Sequence, residues 1–257
     1  MLFPISDDDS QLSGPAFVTL AFIVLNVLVF VVFQGLGGNE QFTYGWSVVP
    51  QEIVTGTDIT TPTTFWVAGQ QVVIPQAPGP TPIYFTILSA MFMHGGLGHI
   101  GGNLLYLWIF GDNVEHRFGH LVFFGFYIVS GIVATFAQIA LDPNSLIPNL
   151  GASGAISGVL GAYMVLFTRN RVHAIFFFRV VQIPAVLALG VWIALQLFSG
   201  FGSLTGEQVG GVAYGAHIGG FLAGVVMAFI LRSVIKEERP NVLARSMEAD
   251  PKTKRLW

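Results

Sequence analysis

Six long stretches of this 257-residue chain contain no Asp, Glu, Lys or Arg: 10–39, 59–111, 118–141, 143–168, 180–206 and 208–231. A helix crossing a bilayer needs about 20 mostly apolar residues, and each stretch can hold one. Composition agrees, since 53% of residues are hydrophobic and 10% charged, against roughly 25% charged in soluble domains. An apolar chain is not a disordered one. With 11 basic against 14 acidic residues, the charge balance also argues against nucleic-acid binding. The chain has no cysteine, which excludes disulfides, thiolate zinc sites, iron–sulfur clusters and thiol nucleophiles. A lipid-facing barrel would show alternating segments of about 10 residues instead.

The fold class expected is therefore an all-α polytopic membrane protein, a bundle of six transmembrane helices. The spans are placed near 16–34, 98–114, 121–140, 153–168, 183–199 and 212–231, with a long first extracytoplasmic loop at 35–97. Residues 1–231 form the membrane domain and 232–257 a short polar tail. Orientation follows from the eleven basic residues. Arg117, Arg169, Arg171, Arg179 and the seven from Arg232 onward fall in the second loop, the fourth loop and the tail. These share one side, the cytoplasmic side by the positive-inside rule, and both termini lie there. No basic n-region precedes the first apolar segment, so it is expected to be retained. The first loop carries Pro50, Pro62, Pro75, Pro78, Pro80 and Pro82. Its last part, 83–93, is apolar but too short to span and reads as interfacial or re-entrant.

Polar side chains inside a span are costly, which makes each a functional candidate. Three clusters stand out: His94, His99 and Asn103 at the start of the second span; Gly151 to Gly154 opening the fourth; and Ala216-His217 near the start of the sixth. These three spans run in the same direction, so the clusters lie at one outer depth. His99 and Asn103 are four apart and share a helix face. Gly154 and Gly158 flank Ser153, while Gly220 and Gly224 make a GxxxG spacing beside His217. Small residues allow close helix approach and would bring Ser153 within reach of His217. A serine activated by a histidine is the minimal nucleophile–base pair. Backbone N–H groups at the start of the fourth span, including that of Ser153, with His99 and Asn103, can supply an oxyanion hole.

Each element also has a plainer reading. Small-residue tetrapeptides are common where membrane helices pack, and a lone His217 can be an interhelical hydrogen-bonding residue. His94 and His99 resemble a metal pair only superficially, because HExxH is absent and no intramembrane carboxylate accompanies them. No metal or cofactor is expected. His116, His120 and His173 are assigned to solvated helix ends and loops, Trp108 and Trp192 to packing, and Asp142 and Glu207 to solvated outer loops.

The combination of HxxxxHxxxN from His94 to Asn103, GASG around Ser153, and AHIGGFLAG from Ala216 to Gly224 resembles the rhomboid intramembrane serine proteases. The resemblance covers about 83–231. It implies Ser153 as nucleophile, His217 as general base, His99 and Asn103 as oxyanion stabilisers, and His94 in a supporting role. Two departures stand out. Many rhomboids carry a Trp-Arg pair in the first loop, whereas no arginine precedes Arg117 here. Many place an aromatic four residues after the nucleophile, where this chain has Ser157.

The expected activity is hydrolysis of a peptide bond within or beside a transmembrane segment of a single-pass or polytopic membrane protein, through an acyl-enzyme and without a third acid. Substrates reach the site laterally as unwound helices, with the first loop and fifth span as gates by family analogy. Activity should fall as pH drops, because a protonated His217 cannot accept the serine proton. A prokaryotic plasma membrane is the expected location. The alternatives are an inactive client-binding relative and, further off, a small transporter.

Overall fold

The computed structural model describes residues 3–7, 14–67, 70–204 and 212–235. The elements run β1 Phe3–Ser6, α1 Phe17–Leu28 (continued by a π turn, Val29–Phe33), α2 Glu40–Gly45, α3 Pro50–Thr55, β2 Thr63–Val67, β3 Gln70–Ile74 and α4 Thr86–Ser89. They continue with α5 Leu97–Phe118, α6 His120–Leu141, α7 Ser153–Leu166, β4 Arg171–Phe176, β5 Arg179–Pro184, α8 Ala185–Leu204 and α9 Tyr214–Val234.

The chain is mostly helical. Helices α6 and α9 are long and apolar enough to cross a membrane, and a third span arises if Ile83–Phe92 and α5, bent by 75°, count as one. Phe17–Phe33, Ser153–Leu166 and Ala185–Phe201 are shorter apolar helices. The break before α5 fits a broken span as well as the re-entrant reading of 83–93.

Helix α7 sits at the centre, with every residue from Gly154 to Tyr163 buried. Its neighbours contribute Leu107, Phe110 and Val114 from α5, Phe123 and Tyr127 from α6, and Phe221 from α9. The side of α7 facing α9 is backbone against backbone. A Cβ added at Gly220 would strike the carbonyl oxygen of Gly154, and one at Gly224 that of Gly158. Outer faces carry exposed apolar side chains such as Val24, Leu121, Phe198, Leu222 and Phe229, the surface a helix presents to lipid.

The expectation of an all-α chain needs correction. Strands β1, β4 and β5 form an antiparallel sheet in that order at the end of the bundle away from Ser153, and β2 pairs with β3 in the first loop. Charge alone marks the connection carrying Arg169, Arg171 and Arg179 only as the fourth loop. Arg171–Phe176 and Arg179–Pro184 instead pair as a hairpin with only Phe177 and Phe178 between them.

Histidines assigned to solvation also hold structure. His116 reaches the carbonyls of Asp112 at 2.7 Å and Gly14 at 3.1 Å, and His173 contacts Ser6 and Gln182. His120 Nδ1 lies 2.5 Å from Glu115. The fully buried Glu115 carboxylate accepts from the Val18 N–H at 2.8 Å and from the Thr19 N–H and hydroxyl at 2.7 Å each. An acid from α5 thus caps α1, satisfying amides that have no intrahelical partner. Trp108, expected to pack, is exposed. Glu207, the six basic residues after Arg232 and nearly all of the tail lie outside the described residues.

The first loop is ordered by its own contacts rather than by an arginine. Val48 and Asn149 exchange backbone hydrogen bonds at 2.9 and 2.7 Å, the Gln76 amide donates to the Leu146 carbonyl, and Asp58 accepts from the Gly79 N–H. Buried Glu52 accepts from the Ile59 N–H at 2.8 Å. Burial pushes its carboxyl up to about 7, and neighbouring Asp58 adds to the rise. A carboxyl raised above its unfolded value binds protons more tightly in the folded state. Its contribution is present at pH below about 4.5 and is lost as pH rises through about 7. Thermal midpoints in detergent should therefore be a few degrees higher at pH 5 than at pH 8, and Glu52→Gln should narrow that gap. An unchanged gap would remove Glu52 as its source.

Candidate active site

Ser153 is the first residue of α7, and no side chain caps that helix start. Its backbone amides therefore remain free to point at an acceptor. His217 lies one turn into α9. The Gly220 and Gly224 contacts let α9 approach until Ser153 Oγ donates to His217 Nε2 at 2.8 Å.

The opposite ring nitrogen decides the tautomer. His217 Nδ1 lies 2.8 Å from Gln196 Oε1, on α8. A carbonyl oxygen only accepts, so Nδ1 carries the proton and Nε2 presents its lone pair to the serine. Trp192, one turn before Gln196, lies with its ring 6.0 Å from the imidazole, tilted by 33°. Aromatic cover therefore comes from α8. Ser157 turns back on its own helix, its hydroxyl donating to the Ser153 carbonyl at 2.6 Å.

On the other side of Ser153, the Gly95 N–H donates to His99 Nδ1 at 3.1 Å. That leaves the proton of neutral His99 on Nε2. Gly151, with φ 137°, sits against this atom. A Cβ there would occupy a point 2.9 Å from His99 Nε2 and 3.5 Å from Ser153 Oγ. Glycine keeps that point open and adopts a backbone conformation that side chains disfavour. The Gly151 N–H is fixed by the Ala90 carbonyl at 2.8 Å, so the segment 83–92 holds the turn that leads to the serine.

Asn103 spends one amide proton on the His99 carbonyl at 2.9 Å. It lines the same cavity of about 560 Å³ as Ser153, His217, His99 and Trp192. His94 does not line it. That side chain is fully buried with its ring edge-on to His99, 5.2 Å between centroids, and its backbone N–H and carbonyl both bond to the Gln34 side chain.

Sequence reasoning missed Gln196, Gln34 and the Ala90 carbonyl. The two glutamines were detectable as amides inside charge-free stretches, but each stands alone in sequence, outside the three polar clusters. A backbone carbonyl accepting from the turn leaves no mark in sequence. Among the described residues no group of three or more His, Cys, Asp or Glu side chains is placed to hold a metal ion.

A Ser–His pair at the paired starts of two packed apolar helices, beside a cavity, defines a class of membrane protein. Residues 82–234 match the family model for the Rhomboid domain, and the chain belongs to the rhomboid family, a family of intramembrane proteases. It is 31% identical over 163 residues to Rhomboid protein 1, mitochondrial, of Saccharomyces cerevisiae, covering 62% of this chain and 45% of that one. It is 31% identical over 148 residues to Rhomboid protease GluP of Bacillus subtilis, covering 58% and 26%. RHOMBOID-like protein 5 of Arabidopsis thaliana is 30% identical over 146 residues, covering 56% and 43%. The chain thus spans less than half the length of these relatives. They come from a yeast, a plant and a bacterium, so they give no preference to the prokaryotic location expected from size.

Proposed function

We propose that this chain is an intramembrane serine endopeptidase that cleaves other membrane proteins in or beside their transmembrane segments. The observation that carries the reading is the Ser153–His217–Gln196 chain of contacts, both at 2.8 Å, opening on a cavity. Ser153 Oγ attacks the scissile carbonyl while His217 Nε2 takes its proton and later returns it to the leaving amine. Water then resolves the acyl-enzyme. Developing negative charge meets the His99 Nε2–H, the remaining Asn103 amide proton and backbone N–H groups at the start of α7, Ser153 included. Gln196 is a positioning residue. It holds the imidazole in the tautomer that accepts from serine, and no carboxylate is required.

Residues 1–231 form the membrane domain, with α1, α5, α6, α7, α8 and α9 as six crossings. The basic residues place both termini on the cytoplasmic side, with the dyad toward the other side. Helices α5 and α8 both line the cavity through His99 and Trp192, which makes their separation the route by which an unwound substrate segment reaches Ser153.

The test is reconstitution in liposomes with a single-span substrate. Cleavage mapped by mass spectrometry to the span or its margin, and blocked by a fluorophosphonate that labels the protein, is expected. Substrate binding without cleavage or labelling would overturn the reading in favour of a client-binding role. Gln196→Leu should lower kcat more than it raises KM, by less than the roughly 10⁴-fold known for loss of a buried carboxylate orienter. Gln196→Glu should restore most of that loss. Equal rates for all three forms would show that Gln196 does not position His217.

A further inference from the structure

The hairpin between α7 and α8 carries a tip at odds with its own turn. Phe176 pairs with Arg179, leaving Phe177 and Phe178 as a two-residue loop. Both have positive φ, 43° and 64°. Such hairpin loops favour Asn-Gly, and a bulky aromatic there is a true outlier. The rings gain little from the protein in return: Phe177 meets Phe176 edge-on at 4.7 Å between centroids, yet Phe177 is 76% and Phe178 101% exposed. Strained and largely exposed side chains of this size point to a partner outside the chain.

Register shows which way the tip faces. Side chains alternate along β4, so Val172, Ala174 and Phe176 share one face of the sheet. Val172 and Ala174 are completely buried, Val172 within the main core of the bundle. That face therefore lies against the end of the bundle. Phe176, on the same face, is exposed, so the hairpin overhangs the bundle edge with Phe176 and its cross-strand partner Arg179 turned toward the membrane side. The overhang continues a lipid-facing surface, because Leu187 and Val191, on the first turns of α8, are exposed and share a face.

Charge identifies the surface it meets. Arg179 stands beside the aromatic tip, and Arg169 and Arg171 stand at the root of the same hairpin. Among the described residues no carboxylate forms an ion pair with any of them. Aromatic rings with adjacent arginines are the composition of interfacial membrane anchors.

We propose that the β4–β5 tip is such an anchor: Phe177 and Phe178 enter the acyl boundary of the leaflet opposite the Ser153 side, and Arg179 binds anionic phospholipid headgroups. The anchor fastens the connection between α7 and α8 to the bilayer. It stands independently of the protease reading.

The absence of cysteine makes Phe178→Cys a unique thiol in the full chain. Labelled with an environment-sensitive fluorophore, the protein is reconstituted in phosphatidylcholine vesicles with and without phosphatidylglycerol. Quenching by doxyl-labelled lipid is expected to exceed quenching by aqueous iodide about threefold with the anionic lipid, and to fall on adding Arg179→Gln. A second probe at exposed Val180→Cys keeps both phenylalanines. Replacing them by Phe177→Asn with Phe178→Gly should then abolish lipid quenching of that probe while raising the thermal midpoint in detergent. Iodide access without lipid quenching overturns the anchor, as does self-quenching that grows with protein density, which would assign the tip to a second copy. Lipid quenching indifferent to phosphatidylglycerol and to Arg179 overturns the headgroup assignment.

Discussion

Ser153→Ala and His217→Ala should each reduce cleavage of a reconstituted substrate by on the order of 10⁴-fold or more, and combining them should cost little further. The geometry explains the non-additivity. Ser153 Oγ and His217 Nε2 share one hydrogen bond at 2.8 Å, so removing either atom destroys the same proton transfer. His99→Ala should leave the attack intact and weaken only stabilisation of the developing oxyanion, a loss of about 10²–10³-fold in kcat. Folding must be shown to survive, and an unchanged thermal midpoint for Ser153→Ala is the control. Cleavage at the wild-type rate in both single variants would remove the dyad from the mechanism.

Gly220→Val should separate the dyad without touching either member. Its first added carbon would collide with the Gly154 carbonyl, which is backbone and cannot rotate away. Helix α9 must then move off α7, at a cost of about 1–3 kcal/mol or more for overpacking, and Ser153 and His217 move apart with it. Both cleavage and fluorophosphonate labelling should be lost. Gly101→Ala is the matching control, because no atom lies within 4 Å of its added carbon. It should be neutral or stabilise by about 0.5–1 kcal/mol through helix propensity. A Gly220→Val protein that keeps its labelling rate and thermal midpoint would refute the close-contact account.

The contrast between those glycines marks the limit of what was readable in sequence. Each charge-free stretch holds most of one of the helices α1, α5, α6, α7, α8 and α9, because charge is costly on an apolar helix, although only α6 and α9 are long and apolar enough to cross a membrane alone. The GxxxG spacing singled out Gly220 and Gly224 for the same reason. The same spacing at Gly98 and Gly102 carries no close contact, since close approach depends on the partner helix. Strands β1, β4 and β5 were missed because they sit outside the membrane segments, where charge exclusion gives no signal and pairing partners lie up to 172 residues apart, as Phe3 and Ile175 do. At the site, ionisable side chains drew notice by their cost in lipid. Gln196 was passed over because it stands apart in sequence from the three polar clusters, and its role depends on α8 facing α9.

On the proposed reading, the brevity of α7 bears on the depth at which peptide bonds would be cut. Fourteen residues rise about 21 Å, against about 30 Å of hydrocarbon. A lipid-facing helix of that length would tilt its neighbours or thin the bilayer, but α7 touches almost nothing but protein and bears no such mismatch. On the proposed placement, with its far end at one hydrocarbon boundary, it would work as a ruler, stopping Ser153 roughly 9 Å short of the other. On the proposed reading, the cavity lined by His99, Asn103, Ser153 and His217 opens at that level, where a substrate helix would fray at its end.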